Sequence, residues 1–189
     1  MLPGIYDAFQ HWGKQTVWIY SDPHFSDEDL ECGIKNRPSD EEQIANINSC
    51  AGRKDTLIIL GDVGNIECVR KLRAAHKVLI MGNHDSGATK YKEVFDEVYE
   101  GALIIGEKLI LSHEPVDIPW LFNIHGHDHA GHKRKGHLNV CSDVIGYKPV
   151  NFNQFLKSGQ TANIQTIHRA TIDKATERKA KRGGKKLCQ

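Results

Sequence analysis

The chain has 189 residues, of which 39% are hydrophobic and 26% charged, and a formal net charge of +1: enough for one domain with a full core and too little for two. No stretch approaches the roughly 18 consecutive apolar residues of a membrane span, and Met1 to Gly13 lacks the basic start and apolar run of a secretory signal, so a cytoplasmic location is expected. Five scattered cysteines, Cys32, Cys50, Cys68, Cys141 and Cys188, form no Cys-x-x-Cys pair, which argues against a disulfide framework or a thiolate zinc site. The charge is unevenly spread, with +6 over residues 169–189 and −5 over residues 1–168. An acidic body disfavours a broad nucleic-acid-binding face, although a basic end can add nonspecific phosphate affinity. The expected organisation is a domain over residues 1–168 and a basic, flexible tail over 169–189.

In chain order, Thr16–Ser21 is an apolar, β-branched run that breaks at Asp22-Pro23-His24 and reads as a buried strand. Residues Phe25 to Ser39 read as a long polar loop. Asp40–Ala51 reads as a helix, with Ser39 as N-cap and Glu42 completing a capping box. Thr56–Leu60 and Lys77–Met81 are two more apolar strands, running into Gly61-Asp62 and Gly82-Asn83-His84-Asp85, and Ile66–Ala75 between them is helical. Next comes a hairpin, Ala102–Ile105 and Lys108–Ser112, joined by Gly106-Glu107. Trp120–His125 and His137–Cys141 are short strands, and Asn151–Lys157 a short helix. Strand, loop, helix, strand is the pattern of a layered α/β fold.

Each strand ends where a polar cluster begins, and strand ends are where the loops of such folds converge on a site. Six of the eleven histidines, moreover, fall between His113 and His137. The clusters are Asp22 and His24; Asp62; Asn83, His84 and Asp85; His113; and His127 with His129. This is a set of carboxylates, imidazoles and one amide carbonyl without thiolate. It suits Mn²⁺, Fe²⁺, Zn²⁺ or Ni²⁺ and exceeds the four positions of one tetrahedral ion. Two divalent ions are the simplest reading.

The ordered pattern Asp22-x-His24, Gly61-Asp62, Gly82-Asn-His-Asp85, His113, Gly126-His-x-His129 resembles that of the calcineurin-like metallophosphoesterases, over about Val17 to Val150. Asn36-Arg-Pro38 and Asn139-Val-x-x-Asp-Val-x-Gly-Tyr-x-Pro-Val150 are similar to segments of the short, capless bacterial and phage members. The resemblance implies a single-domain, four-layer α-β-β-α sandwich with two mixed β-sheets. It also implies two metal ions, most often Mn²⁺. Asp22, His24, Asp62 and His129 would hold one ion, and Asp62, Asn83, His113 and His127 the other, with Asp62 shared. His84 would lie over the site and assist the leaving group, and Asp85 would accept a hydrogen bond from its ring. A bridging hydroxide, formed at near-neutral pH because two ions lower the pKa of a shared water, would attack a phosphodiester or phosphomonoester of a small substrate. No Ser or Cys nucleophile motif or Gly-rich phosphate loop offers another route.

Arg37 and Tyr147 are candidates for substrate contact, since a guanidinium binds phosphate in bidentate fashion. His125 reads as structural, His132 and His137 as solvent-exposed loop residues, and His76 as a surface residue. Two alternatives stand beside the phosphodiesterase reading. One is a nuclease or nucleic-acid-processing enzyme tethered by the basic tail, and the other a non-catalytic scaffold that keeps metals for structure.

Overall fold

The computed structural model describes residues 15–106, 108–164 and 167–183. Met1–Gly13, Glu107 and Cys188 lie outside them. Nine strands and six helices are described. They are β1 (Val17–Tyr20), α1 (Glu28–Gly33), α2 (Asp40–Cys50), β2 (Thr56–Ile59), α3 (Ile66–Arg70), β3 (His76–Ile80), α4 (Ala88–Tyr91), β4 (Glu97–Tyr99), β5 (Leu103–Ile105), β6 (Leu109–Leu111), β7 (Phe122–His125), β8 (His137–Asn139), β9 (Val150–Asn151), α5 (Phe152–Lys157) and α6 (Ile167–Gly183).

The strands form two mixed sheets, ordered β4-β3-β2-β1-β9 and β5-β6-β7-β8. In the first, β1 to β4 are parallel and β9 is antiparallel; in the second, β5–β6 is antiparallel and β6–β7–β8 parallel. The period-two alternation of strand side chains sorts the core into layers. Val17, Ile19, Ile58, Leu60, Val78 and Ile80 turn one way, against Leu103, Ile105, Leu109, Leu111, Phe122 and Ile124 of the second sheet. Tyr20, Leu57, Ile59 and Leu79 turn the other way, against Ile44 and Ile47 of α2 and Val69 of α3. Strands buried on both faces are the near-continuous apolar runs seen in the sequence. The β6–β7 crossover contains no helix among the described residues. Asn123 pins it instead, accepting from Val116 N (2.8 Å) and donating to Ser112 Oγ (2.8 Å).

Register decides where the polar clusters go. Tyr20 pairs with Ile59 and Ile59 with Leu79, so Asp22, Asp62 and Asn83 emerge together at one edge of the first sheet. Leu111 pairs with Ile124, so His113 and His127 emerge together from the second. A bridge between Ser21 and Cys141 ties the two edges to each other.

Several elements differ from the sequence expectation. The polar run Phe25–Ser39 contains α1, because Asp27 caps it by accepting from Leu30 N. The capping box on α2 forms as expected. Helix α3 stops at Arg70 rather than Ala75: Asn48 holds Lys71 O and Arg73 N, and Asp55 O takes Ala75 N as the chain turns into β3. In the β5–β6 hairpin, Ile105 pairs with Leu109, so the connection is three residues, not two. The stretch expected as a flexible basic tail is helical over Ile167–Gly183. His76 is a part-buried link between strands, 2.6 Å from Glu97 Oε1, and not a surface residue. No helix among the described residues is long and apolar enough to cross a membrane.

Candidate metal centre

The clusters meet on a floor of buried acids and imidazoles with an exposed rim. Asp22, His24, Asp62 and His113 are buried, His129 is half-buried, and Asn83, His84 and His127 are exposed. Four of these residues, Asp22, His24, Asp62 and His127, have left-handed backbone with φ of 56°, 43°, 53° and 64°. Left-handed backbone costs a residue with a side chain roughly 1–2 kcal/mol. The surrounding bonds impose it: His24 N donates to Asp62 O (2.9 Å), Asp22 N to Gly61 O (3.2 Å) and Gly126 N to His113 O (2.9 Å). Four of the seven non-glycine residues with left-handed backbone among the described residues fall on this polar cluster, which makes it a candidate functional site. Two glycines permit the close approach. A Cβ on Gly82 would run into Asp62 and His113, and one on Gly126 into Ser21 and Asp22.

The candidate donor atoms form two groups, Asp22 with His24 and His129, and Asp62 with His113 and His127, and a third cluster, His129 with Cys141 and Asp143, shares His129 with the first. Asp62 stands between the first two. Its Oδ1 accepts from His84 N (3.0 Å), while its Oδ2 lies 3.5 Å from His24 Nε2 on one side and 3.2 Å from His113 Nε2 on the other. Asn83 Oδ1 completes the second group, 2.8 Å from His113 Nε2 and 3.1 Å from His127 Nδ1.

Residues 15–168 match the calcineurin-like phosphoesterase family, most of the chain. The chain belongs to that family. The uncharacterized protein MJ1445 of Methanocaldococcus jannaschii is 33% identical over 174 residues, covering 76% of this chain and 90% of that protein. A solved structure of a protein of unknown function from Aquifex aeolicus, AQ665, superposes with a TM-score of 0.63 at 26% identity, covering 76% of this chain and 98% of that one. This calcineurin-like phosphoesterase therefore belongs to a family that binds divalent metals.

The donor atoms of this chain fit such ions. Leu60 O can only accept, so the 2.8 Å bond from His113 must come from Nδ1–H, which leaves the Nε2 lone pair aimed at two acceptors, Asn83 Oδ1 and Asp62 Oδ2. Facing lone pairs at those distances call for a positive charge among them. In the metal-free chain a proton supplies it. Burial works against the charged ring, but the Asp62 hydrogen bond and the charges of Asp22 and Asp62 outweigh it and push the His113 pKa up to about 9. Burial likewise opposes the Asp62 carboxylate, and His113 overrides it to hold its pKa low. His24 Nε2 is buried without a hydrogen-bond partner, and burial pushes the His24 pKa down, so its lone pair is available to an ion. Outer carboxylates fix two of the rings, with Asp27 Oδ2 3.2 Å from His24 Nδ1 and Asp143 Oδ2 2.6 Å from His129 Nδ1.

Four expectations are corrected. Asp85 does not steady the His84 ring; its carboxylate accepts from the backbone N–H groups of Asp62 (2.9 Å), Val63 (3.0 Å) and Gly82 (2.8 Å) and from the Tyr91 hydroxyl (2.8 Å). Its role is to close the turn that carries Asn83 and His84. Arg37 is fully buried, bound to Asp143 and to the Asp22 and Pro23 carbonyls, and so is withdrawn from substrate. Tyr147 donates its hydroxyl to Asp143 and packs its ring against the Arg37 guanidinium (5.8 Å). His137 is also no loop residue in solvent: its side chain is 5% exposed, with Nε2 2.9 Å from Asp117. His125 is buried, with Nδ1 2.8 Å from the carbonyl of Gly126. Asp143 and Asp27 escaped the sequence reading, although Asp143 lies inside the quoted Asn139–Val150 motif.

Beside the candidate donors lies a cleft of about 570 Å³ whose lining includes His24, His84, Lys90 and Tyr91 together with the acids Asp27, Glu28 and Asp29.

Proposed function

We propose that this phosphoesterase uses two divalent metal ions, with Mn²⁺ the first choice, to hydrolyse phosphodiester bonds of small substrates, and phosphomonoesters more slowly. The observation that carries the reading is the position of Asp62 Oδ2 between His24 Nε2 and His113 Nε2, with a separate donor group on either side. Asp22, His24, Asp62 and His129 would hold the first ion, and Asp62, Asn83, His113 and His127 the second. When bound, the pair of ions neutralises phosphate charge and lowers the pKa of water to give hydroxide near neutral pH.

The chain's own groups do the rest. The Leu60 carbonyl, Asp27 and Asp143 keep the His113, His24 and His129 rings turned toward the ions. Exposed His84, at the mouth of the cleft, protonates the departing oxygen, an assistance worth about 10² to 10⁴ in rate for poor leaving groups. The cleft holds the leaving group of a diester. The acids Asp27, Glu28 and Asp29 in its lining repel further phosphates, which favours a small diester over a polynucleotide. The exposed Lys174, Arg178, Lys179 and Lys181 of α6 favour the second reading, a nucleic-acid phosphodiesterase held by the helix. Deleting residues 169–189 should then abolish salt-sensitive nucleic-acid binding, and should change nothing under the first.

The test compares initial rates on bis-p-nitrophenyl phosphate and p-nitrophenyl phosphate after chelator treatment and Mn²⁺ addition. A higher kcat/KM for the diester is expected. Faster monoester hydrolysis would replace the diester assignment, and no hydrolysis of either with metal bound would favour a scaffold.

A further inference from the structure

Five hydrogen bonds converge on Asp143, one of them a long one from the Cys141 thiol to Oδ2 (3.9 Å). Arg37 Nη1 donates to both of its oxygens (2.8 and 2.7 Å), the Tyr147 hydroxyl donates to Oδ1, and His129 Nδ1 lies 2.6 Å from Oδ2. Its side chain is 7% exposed and that of Arg37 0%. The second guanidinium nitrogen of Arg37, Nη2, donates to the carbonyls of Asp22 (3.2 Å) and Pro23 (2.7 Å), inside the loop that carries Asp22 and His24. Ser142 Oγ donates to the same Asp22 carbonyl (2.8 Å). One buried ion pair therefore joins the loop of the first two donors to the third.

A buried ion pair adds little stability over an apolar replacement, so its presence here calls for another role. The chemistry of the bonds supplies one. An ionised carboxylate can only accept, so the contact to His129 requires the hydrogen on Nδ1. Nε2 then keeps its lone pair, and it lies 3.7 Å from Asp22 Oδ1 within the first donor group. We infer that Asp143 is a positioning residue for the first ion alone: it sets the tautomer and orientation of His129, while Arg37 and Tyr147 hold Asp143 and lock it to the Asp22 loop. The second group touches this arrangement only through Asp22, whose carboxylate accepts from His127 N (2.9 Å), and its His113 ring is oriented by the Leu60 carbonyl. The inference rests on the dinuclear reading but is tested apart from it.

Asp143→Asn keeps the shape and removes the obligatory acceptor. An amide NH₂ facing His129 Nδ1 would move the ring hydrogen to Nε2 and take the lone pair from the ion. Two measurements decide the matter. The first is Mn²⁺ titration of wild type and variant by calorimetry: one of two sites should weaken about 10- to 100-fold and the other stay as it is. The second is ¹⁵N NMR of the His129 ring in metal-free wild type at alkaline pH, which should show hydrogen on Nδ1, and needs no variant to fold. Arg37→Lys, which keeps the charge but not the fork, should weaken the same site to a smaller degree and leave the tautomer unchanged. Equal weakening of both sites, unchanged binding, or a wild-type ring with hydrogen on Nε2 would overturn the assignment. A wild type that binds two ions and hydrolyses no phosphoester would end the proposed function and leave this assignment standing.

Discussion

The two donor groups of the candidate metal centre are built differently. The half made by Asp22, His24 and His129 depends on outer carboxylates, Asp27 behind one ring and Asp143 behind the other, brought in from α1's cap and from the segment after β8. The half made by Asn83, His113 and His127 depends on the backbone, with the Leu60 carbonyl behind His113 and the Asp85-braced turn beneath Asn83. A backbone carbonyl at a strand end moves only if the sheet moves, whereas a side-chain carboxylate can be removed by one substitution. The ring orientations of the first group thus rest on side chains that one substitution can remove, whereas that of His113 rests on the backbone at a strand end.

The largest effect should come from the residue the halves share. Asp62→Asn should lower Mn²⁺-dependent turnover about a thousandfold or more, the several kcal/mol that paired-ion charge stabilisation supplies, with far-ultraviolet circular dichroism unchanged. A variant retaining one tenth of the rate would mean that the halves work independently. His84→Ala should cost about 10² to 10⁴ on an alkyl phosphodiester and much less on a p-nitrophenyl ester, whose leaving group needs no proton. Equal losses on both substrates would assign His84 to phosphate binding instead.

Within the first half the two carboxylates are unequal. Asp27 is 34% exposed and 3.2 Å from its imidazole, whereas Asp143 is 7% exposed and 2.6 Å from its own. Asp27→Asn should weaken the first ion only severalfold, less than Asp143→Asn within its 10- to 100-fold range, when both are titrated with Mn²⁺ under the same conditions. The reverse order would place the anchor of this half on α1.

The second half makes the most pH-dependent prediction. With its folded pKa raised to about 9, protonated His113 stabilises the metal-free chain fully below the unfolded value of about 6.5, and that contribution is lost as pH rises through 9. The urea midpoint of metal-free protein should fall between pH 6.5 and 9, by at most about 3 kcal/mol in unfolding free energy, and His113→Asn should flatten the profile. Since an ion displaces this proton, binding at pH 7 should also release protons to the buffer.

What the sequence could reveal divides along the same line. The candidate donors were legible because each follows a strand within a few residues of its end, and parallel register carries Asp22, Asp62 and Asn83 to one edge. Their supports were not. Arg37 and Asp143 are 106 residues apart, and nothing local distinguishes a guanidinium aimed at substrate from one neutralising a buried carboxylate. The family resemblance implied Asp85 as a partner of the His84 ring, yet its oxygens reach back across the turn to Asp62 and Val63. Helix α1 was hidden by its polarity: with Asp27 as cap and an acidic first turn, it lacks the apolar stripe that marks longer helices.

The most direct test counts ions and turnover together. Metal-free wild type and Asp62→Asn would be titrated with Mn²⁺, with bound metal and the rate of bis-p-nitrophenyl phosphate hydrolysis followed in the same samples. The account predicts that wild-type activity appears only as the second ion binds, and that the variant loses both the paired binding and the rate. Full activity with one ion bound, or an Asp62→Asn variant that holds two ions and turns over normally, would contradict it.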